Sequence, residues 1–354
     1  MNTTGPTQSA PGESPFAVFA APECGADQTA ARRIARAFDE RLRNDGAARR
    51  RERLTGLGLA LEWLVIVGLT YVMVFAMRPL AVKLLLLIPW SLYSSLALDN
   101  ITHYANHWPL FRSRLGNALW RASGVLVFFN PLEIRAIHQE HHRAYARADN
   151  DERVFAASDR GRSFWGYLTT GALDGLKLLW PLRPMDPCVQ ALRQRQPAHY
   201  REVMAVRFAM LLWFIFLLVL DPINTLCFLV PAVLMVGSLG SLVMNLTDHI
   251  PGDSHHPFRL ATFLEPTTPA ERFFSQVNHY TAATHLTHHL FPAVHWMHLP
   301  RLQRQLADIY VRHGAPRSLL INSTLLGNPF AFVRLARELD RRRFEIGSPL
   351  PPRP

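Results

Sequence analysis

PINTLCFLVPAVLMVGSLGSLVMNL, residues 222–246, contains no charged side chain. A helix rising 1.5 Å per residue needs about 20 residues to cross about 30 Å of hydrocarbon, so this run predicts a membrane span. Three more runs point the same way: Gly56–Met77 with Glu62 as its one charge, Pro79–Leu98 with only Lys83, and Val203–Leu220 with Arg207. Their charge-free centres are shorter and rely on flanking side chains that reach toward the interface. Only Arg78–Pro79 and Asp221–Pro222 separate neighbouring runs. The expected fold is therefore all-α and integral to the membrane, with four transmembrane helices in two hairpins.

Two hairpins leave three longer segments on one side of the bilayer, and those segments hold 35 of the 38 Lys and Arg residues. By the positive-inside rule that side is the cytoplasm. The same imbalance argues against a soluble protein with buried helices. The net charge of +11 then reads as membrane orientation and attraction to anionic lipid, with no nucleic-acid partner. Arginine outnumbers lysine 36 to 2, a bias of GC-rich genomes that points to a bacterial cytoplasmic (inner) membrane.

The remaining sequence divides around this frame. Residues 1–53 read as a mobile tail without a cleavable signal peptide, running from Arg32 into a basic amphipathic segment on the membrane surface. Residues 54–313 form the membrane domain with a cytosolic helical cap, and residues 314–354 form a helical tail ending in the disordered SPLPPRP. Within the cap, Ala118–Leu132 and Phe164–Leu182 read as interfacial helices, since Asp174 and Lys177 make a full crossing by the second costly. RLQRQLADIYVRH and FAFVRLARELDRRRF have helical periodicity. Cys24, Cys188 and Cys227 are too scattered for a disulfide frame or a cysteine-type metal site.

Histidines carry the chemistry. HYANH places His103 and His107 at i, i+4, just after the second span. HQEHH gives His138, His141 and His142 at i, i+3, i+4, and HLTHH repeats that pattern with His285, His288 and His289. Each spacing puts its rings on one helix face. His249 follows Asn245 by one turn at the end of the fourth span, a ninth candidate. All nine fall at the cytosolic mouth of the bundle, and burying so many polar rings without a partner is expensive. A metal removes that cost. Nine imidazoles exceed one zinc site and suit two metals of four or five ligands each, whose element imidazole does not fix. At the edge of hydrocarbon, where substrates are unreactive alkyl chains, two irons activating dioxygen fit the setting. His199, His255, His256, His279, His295, His298 and His313 read as ordinary core or surface residues, with His255, His256 and His279 near enough to support ligands.

HxxxH, HxxHH and HxxHH around two hairpins, with the last box running into HHLFPAVHWMHLPRL, resemble the membrane fatty acid desaturase family and its hydroxylase relatives over roughly Leu84–His313. HHRAYARADNDER resembles the acidic stretch after the family's second box, and LPRLQRQLADIYVRHG the helix after its third. The resemblance implies a non-haem di-iron centre held by His103, His107, His138, His141, His142, His249, His285, His288 and His289, with Asn245 holding a metal-bound water. Dioxygen would be the co-substrate and a fatty acyl chain, lipid- or carrier-bound, the substrate, with desaturation as the reaction and hydroxylation of an alkyl chain, carotenoid-like lipid or natural-product intermediate as the alternative. Thr287 stands where the family's third box often carries Glu.

Positioning of one methylene is then the protein's main task. Trp90, Tyr93, Trp108, Trp120, Phe128 and Phe129 are candidate liners of an acyl tunnel, and Asp99, Glu140, Asp149, Asp151 and Asp248 candidate partners for ligand rings. No haem, iron–sulfur, rubredoxin or flavin motif is present in the sequence. A separate ferredoxin, rubredoxin or cytochrome with its reductase is the expected electron donor.

Overall fold

Asp45 separates the first two helices. Helix α1 (Gly25–Asn44) ends at it and α2 (Gly46–Tyr71) starts from it, because its Oδ1 accepts from the N–H groups of Ala47 at 2.8 Å and Ala48 at 3.1 Å, the N-cap arrangement. The computed structural model describes residues 24–145, 187–242, 256–277, 279 and 281–316, and these are mostly helical, with no strand among them. Helix α2 continues through a π-helical turn, Val72–Ala76. After Pro79, whose fixed φ cannot continue a helix but can begin one, α3 (Leu80–His107) returns.

Ser113 caps α4 (Arg114–Ser123), its hydroxyl accepting from the Gly116 N–H at 3.2 Å. A 3-10 turn, Gly124–Val127, follows, then Phe128 at φ 55° and α5 (Pro131–Tyr145). Gly124 is required here: a Cβ would collide with the Phe129 carbonyl and the Pro131 ring. The expected helix over 118–132 is therefore two helical pieces separated by this turn. After α6 (Pro187–Arg195) come α7 (Pro197–Leu220), a single turn Pro222–Asn224, a π-helical turn Thr225–Leu229 and α8 (Val230–Leu242). The last described helices are α9 (Pro269–Val277), α10 (Thr281–Leu290) and α11 (Leu299–Arg312).

Among the described residues three helices are long and apolar enough to cross a membrane: Gly46–Ala76, Leu80–His107 and Pro197–Leu220. Their outer faces carry large exposed apolar side chains, with Leu85 72% and Val219 80% exposed, a surface that suits lipid and not water. The protein is a membrane protein on this evidence. The fourth expected span, Pro222–Leu246, is helical as far as Leu242, where the described residues stop. Among those residues it gives only a shorter apolar helix, Pro222–Val236. The stretches Phe164–Leu182, FAFVRLARELDRRRF and SPLPPRP, and residues 1–23, also lie outside the described residues.

Buried polar contacts fix the helices relative to one another. Lys83 reaches across both hairpin turns, donating from Nζ to the Val74 carbonyl at 2.7 Å and the Asn224 side-chain oxygen at 2.5 Å. Tyr71 bonds the Leu126 carbonyl at 2.7 Å and accepts from the Trp213 indole at 2.6 Å, joining α2, the 124–127 turn and α7. Arg207 of α7 grips Glu133 in the first turn of α5 with both Nε, at 3.0 Å to Oε2, and Nη2, to Oε1. Asn130 caps α5 while donating to the Val203 carbonyl at 3.1 Å.

One expected placement changes. The apolar face of α1, with Cys24, Ala31, Ala35 and Phe38, is buried against Phe258, Leu302, Leu306 and Tyr310. It faces α11 and the 258–264 segment, and is not free to lie on lipid.

The Arg207–Glu133 pair is almost fully buried, so removing one member strands a charge. Glu133→Ala is expected to cost about 3–5 kcal/mol, while the double change Glu133→Leu with Arg207→Met recovers most of it. Thermal unfolding of the detergent-solubilised variants measures both; equal losses in single and double variants would contradict this role.

Candidate metal centre

Three helices deliver the histidines. The last two turns of α3 present His103 and His107, α5 presents His138 and His142, and α10 presents His285, His288 and His289. Helix α3 runs past Leu98 to His107, so the first box lies inside the spanning helix, not after it. In α10 the helix breaks at Thr284 (φ −116°, ψ 16°). The break frees backbone groups for the neighbouring segment: the Leu264 N–H donates to the Ala283 carbonyl and the Leu286 N–H to the Thr262 carbonyl, both at 2.9 Å. This docking sets where the third box points.

The Nε2 atoms converge in a chain. His107 and His138 are 2.8 Å apart, His138 and His142 3.0 Å, His142 and His288 3.0 Å, and His288 and His103 2.9 Å. Ligand atoms of these five residues all lie within 4.8 Å of one another. Beside them His285 and His289 pair at 3.1 Å, with the His289 ring 4.5 Å from that of His142. His141 is on α5, but its side chain is not among those described. His249 and Asn245 lie outside the described residues, as do Asp149, Asp151 and Asp248; the Asp99 side chain is likewise not described.

Do these rings fit a metal? Nitrogens about 2.1 Å from a common centre and at right angles to it stand about 3.0 Å apart, whereas tetrahedral ones stand about 3.4 Å apart. The spacings of 2.8–3.1 Å are those of ring-to-ring hydrogen bonds and are also close enough for neighbouring rings to share a cation, whose element imidazole does not fix. Protonation also favours it. Burial pushes His142 down to about 4, and burial together with the neighbouring imidazoles holds His288 well below its ordinary value. Both are neutral near pH 7, the form that binds metal. His288 Nδ1 is buried without a hydrogen-bond partner, consistent with a ring positioned by what lies beyond its other nitrogen.

A second layer was less visible in the sequence. Trp296 packs edge-on against His103, ring centroids 5.1 Å apart, and its indole donates to the His279 carbonyl. His279, at φ 46°, donates from Nε2 to Glu62 Oε2 at 2.8 Å, and Glu62 Oε1 accepts from the Tyr93 hydroxyl at 2.6 Å. Tyr104 hydrogen-bonds His295 Nε2 at 2.9 Å, and His298 donates to Glu52 at 3.1 Å. Glu62 inside an apolar run was the signal for such a partner, because an intramembrane carboxylate needs one.

Thr287 points away from the rings. Fully buried, it bonds the Gln303 side-chain oxygen at 3.0 Å and the Tyr310 hydroxyl at 3.1 Å, holding α10 on α11. Of the candidate tunnel liners, Trp90 donates to Thr70 at 3.0 Å, Trp108 packs at a tilt against His107 and His295, Trp120 and Phe129 pack on Trp63, and Phe128 is buried in the core between α2, α3, α7 and α8.

His288→Ala is expected to lower bound metal at least tenfold, whereas Thr287→Val leaves metal content intact and costs about 1–3 kcal/mol by stranding buried polar partners. Metal analysis of the purified variants alongside thermal unfolding separates the two; metal loss in Thr287→Val equal to that in His288→Ala would refute the distinction.

A family model described as fatty acid desaturase matches residues 77–320. No curated protein and no solved structure matches.

Proposed function

The chain belongs to the fatty acid desaturase family, and from that premise we propose that it is a dioxygen-dependent di-iron desaturase that introduces a double bond into a fatty acyl chain. The observation that carries this reading is the convergence of seven imidazoles from three helices, with neighbouring Nε2 atoms 2.8–3.1 Å apart, at the end of a membrane-spanning helix. We assign His103, His107, His138, His142 and His288, with His285 and His289 beside them, as ligands. His141 and His249 complete the set, and Asn245 holds a bound water. Two irons so bound supply the reduction of dioxygen coupled to removal of two hydrogens from neighbouring methylenes, with two electrons and two protons taken up and water released.

The chain's own residues keep the ligands in place. Thr287, Gln303 and Tyr310 hold α10, Trp296 packs on His103, and Arg207 with Glu133 sets α5. The apolar faces around α2, α3 and α4 are where an acyl chain would lie, with Trp108 nearest the rings. The apolar runs support four spans in two hairpins, the basic segments put the histidines on the cytoplasmic side, and the arginine-rich composition supports a bacterial inner membrane. Residues 1–53, 54–313 and 314–354 are the corresponding parts. The electrons come from a separate ferredoxin, rubredoxin or cytochrome docking on that basic face.

Expressing wild type and His142→Ala in a lipid-producing host, with mass spectrometry of total acyl chains, tests the reaction. The expected result is a wild-type product lighter by two hydrogens and absent from the variant. A product heavier by one oxygen would move the assignment to hydroxylation, and full turnover by the purified protein with only NAD(P)H would refute the separate donor.

A further inference from the structure

Away from the histidine boxes, three distant parts of the chain bring sulfur and imidazole together. Cys24 precedes α1, His256 opens the segment that runs beneath it, and His313 ends α11. Cys24 is 2% exposed. Its Sγ lies 3.3 Å from His256 Nε2 and 3.8 Å from His313 Nδ1, and the ligand atoms of all three are within 4.8 Å of one another. We propose that Cys24, His256 and His313 bind a zinc ion that clamps α1 to the histidine-box domain, a site separate from the di-iron centre.

The geometry suits zinc. With Zn–S about 2.3 Å, Zn–N about 2.0–2.1 Å and tetrahedral angles, sulfur and nitrogen ligands stand about 3.6 Å apart, and the two observed separations bracket that value. The donor set differs from the all-nitrogen centre: one thiolate with two imidazoles selects a borderline-soft cation of the zinc kind. A fourth position is left to water.

Groups behind the ligands agree. His313 Nε2 donates to Asp27 Oδ2 at 2.9 Å, which puts the ring proton on Nε2 and turns the Nδ1 lone pair toward the sulfur. This carboxylate–histidine pairing is the one that orients metal-bound imidazoles. Arg312 holds the other Asp27 oxygen at 2.8 Å, and the Phe258 ring stacks on His313 with centroids 4.7 Å apart. The thiolate offsets part of a divalent charge, and Asp27, itself paired with Arg312, acts on the ion through the His313 ring. One contact opposes loading: His256 Nδ1 accepts from the Phe258 N–H at 3.2 Å, so in the metal-free tautomer Nε2 carries the proton. Zinc displaces that proton to Nδ1 and breaks this hydrogen bond, a small loss beside the affinity of thiolate-containing zinc sites. Burial of the thiol excludes a large substrate and leaves a structural role.

The consequence is mechanical. Cys24 is 232 residues from His256 and 289 from His313, so one ion would close most of the chain into a loop. It would also brace α11, whose Tyr310 meets Thr287 of the third box.

Full-length protein, purified in detergent under reducing conditions, is depleted of metal and titrated with zinc and, separately, cobalt(II). Wild type is expected to bind zinc at Cys24 and to show a thiolate-to-cobalt charge-transfer band. Cys24→Ala, which keeps the apolar packing of α1, loses both; Asp27→Asn keeps the ligands and weakens zinc about 10–100-fold; His142→Ala loses box metal while keeping the cobalt–thiolate band, so failure here is distinguishable from failure of the di-iron reading. A wild type without that band, or one whose band survives Cys24→Ala, overturns the proposal and leaves the contacts as thiol–imidazole hydrogen bonds.

Discussion

Imidazole rings from α3, α5 and α10 meet through Nε2 atoms 2.8–3.1 Å apart. Each neutral ring offers one N–H and one lone pair, so neighbouring rings can pair donor with acceptor. Burial opposes protonation of His142 and His288, which leaves them able to offer a lone pair to a cation. Much of the surrounding structure holds these rings in place.

The hairpins act as that support. Helix α3 is both long and apolar enough to span a membrane and the carrier of the first box, so its length sets how far the histidine cluster lies from the hairpin turn. Lys83 ties the two hairpin turns at the opposite end of α3, and the Arg207–Glu133 pair binds α5 to α7. Buried ion pairs contribute little net stability in general. Here the pair fixes the angle of the helix carrying the second box, which apolar packing alone would specify less sharply.

Three of the four expected spans were legible because an apolar run is a local pattern that reports its own length, and in the boxes i, i+3, i+4 reports a face. His103, His107, His138, His142 and His288 lie within 4.8 Å of one another by their ligand atoms, a meeting of separate helices that no single spacing encodes. What escaped was set by contacts between distant residues. Nothing near Thr284 announces the kink, which depends on Thr262 and Leu264. The break at Phe128 arises from close packing at Gly124. Helix α1 reads as an amphipathic surface helix because its partner, α11, lies nearly the whole chain away. His256, His298 and His313 looked ordinary singly and gained meaning only beside Cys24, Glu52 and Asp27.

The central claim is that the histidine cluster holds two irons and not another metal. Iron analysis with Mössbauer spectroscopy of the isotopically enriched, purified protein tests it most directly. The account predicts two irons per chain in nitrogen-rich sites, magnetically coupled in the oxidised state and lost in His288→Ala. Zinc in those positions, or a single uncoupled iron in fully active protein, would contradict it.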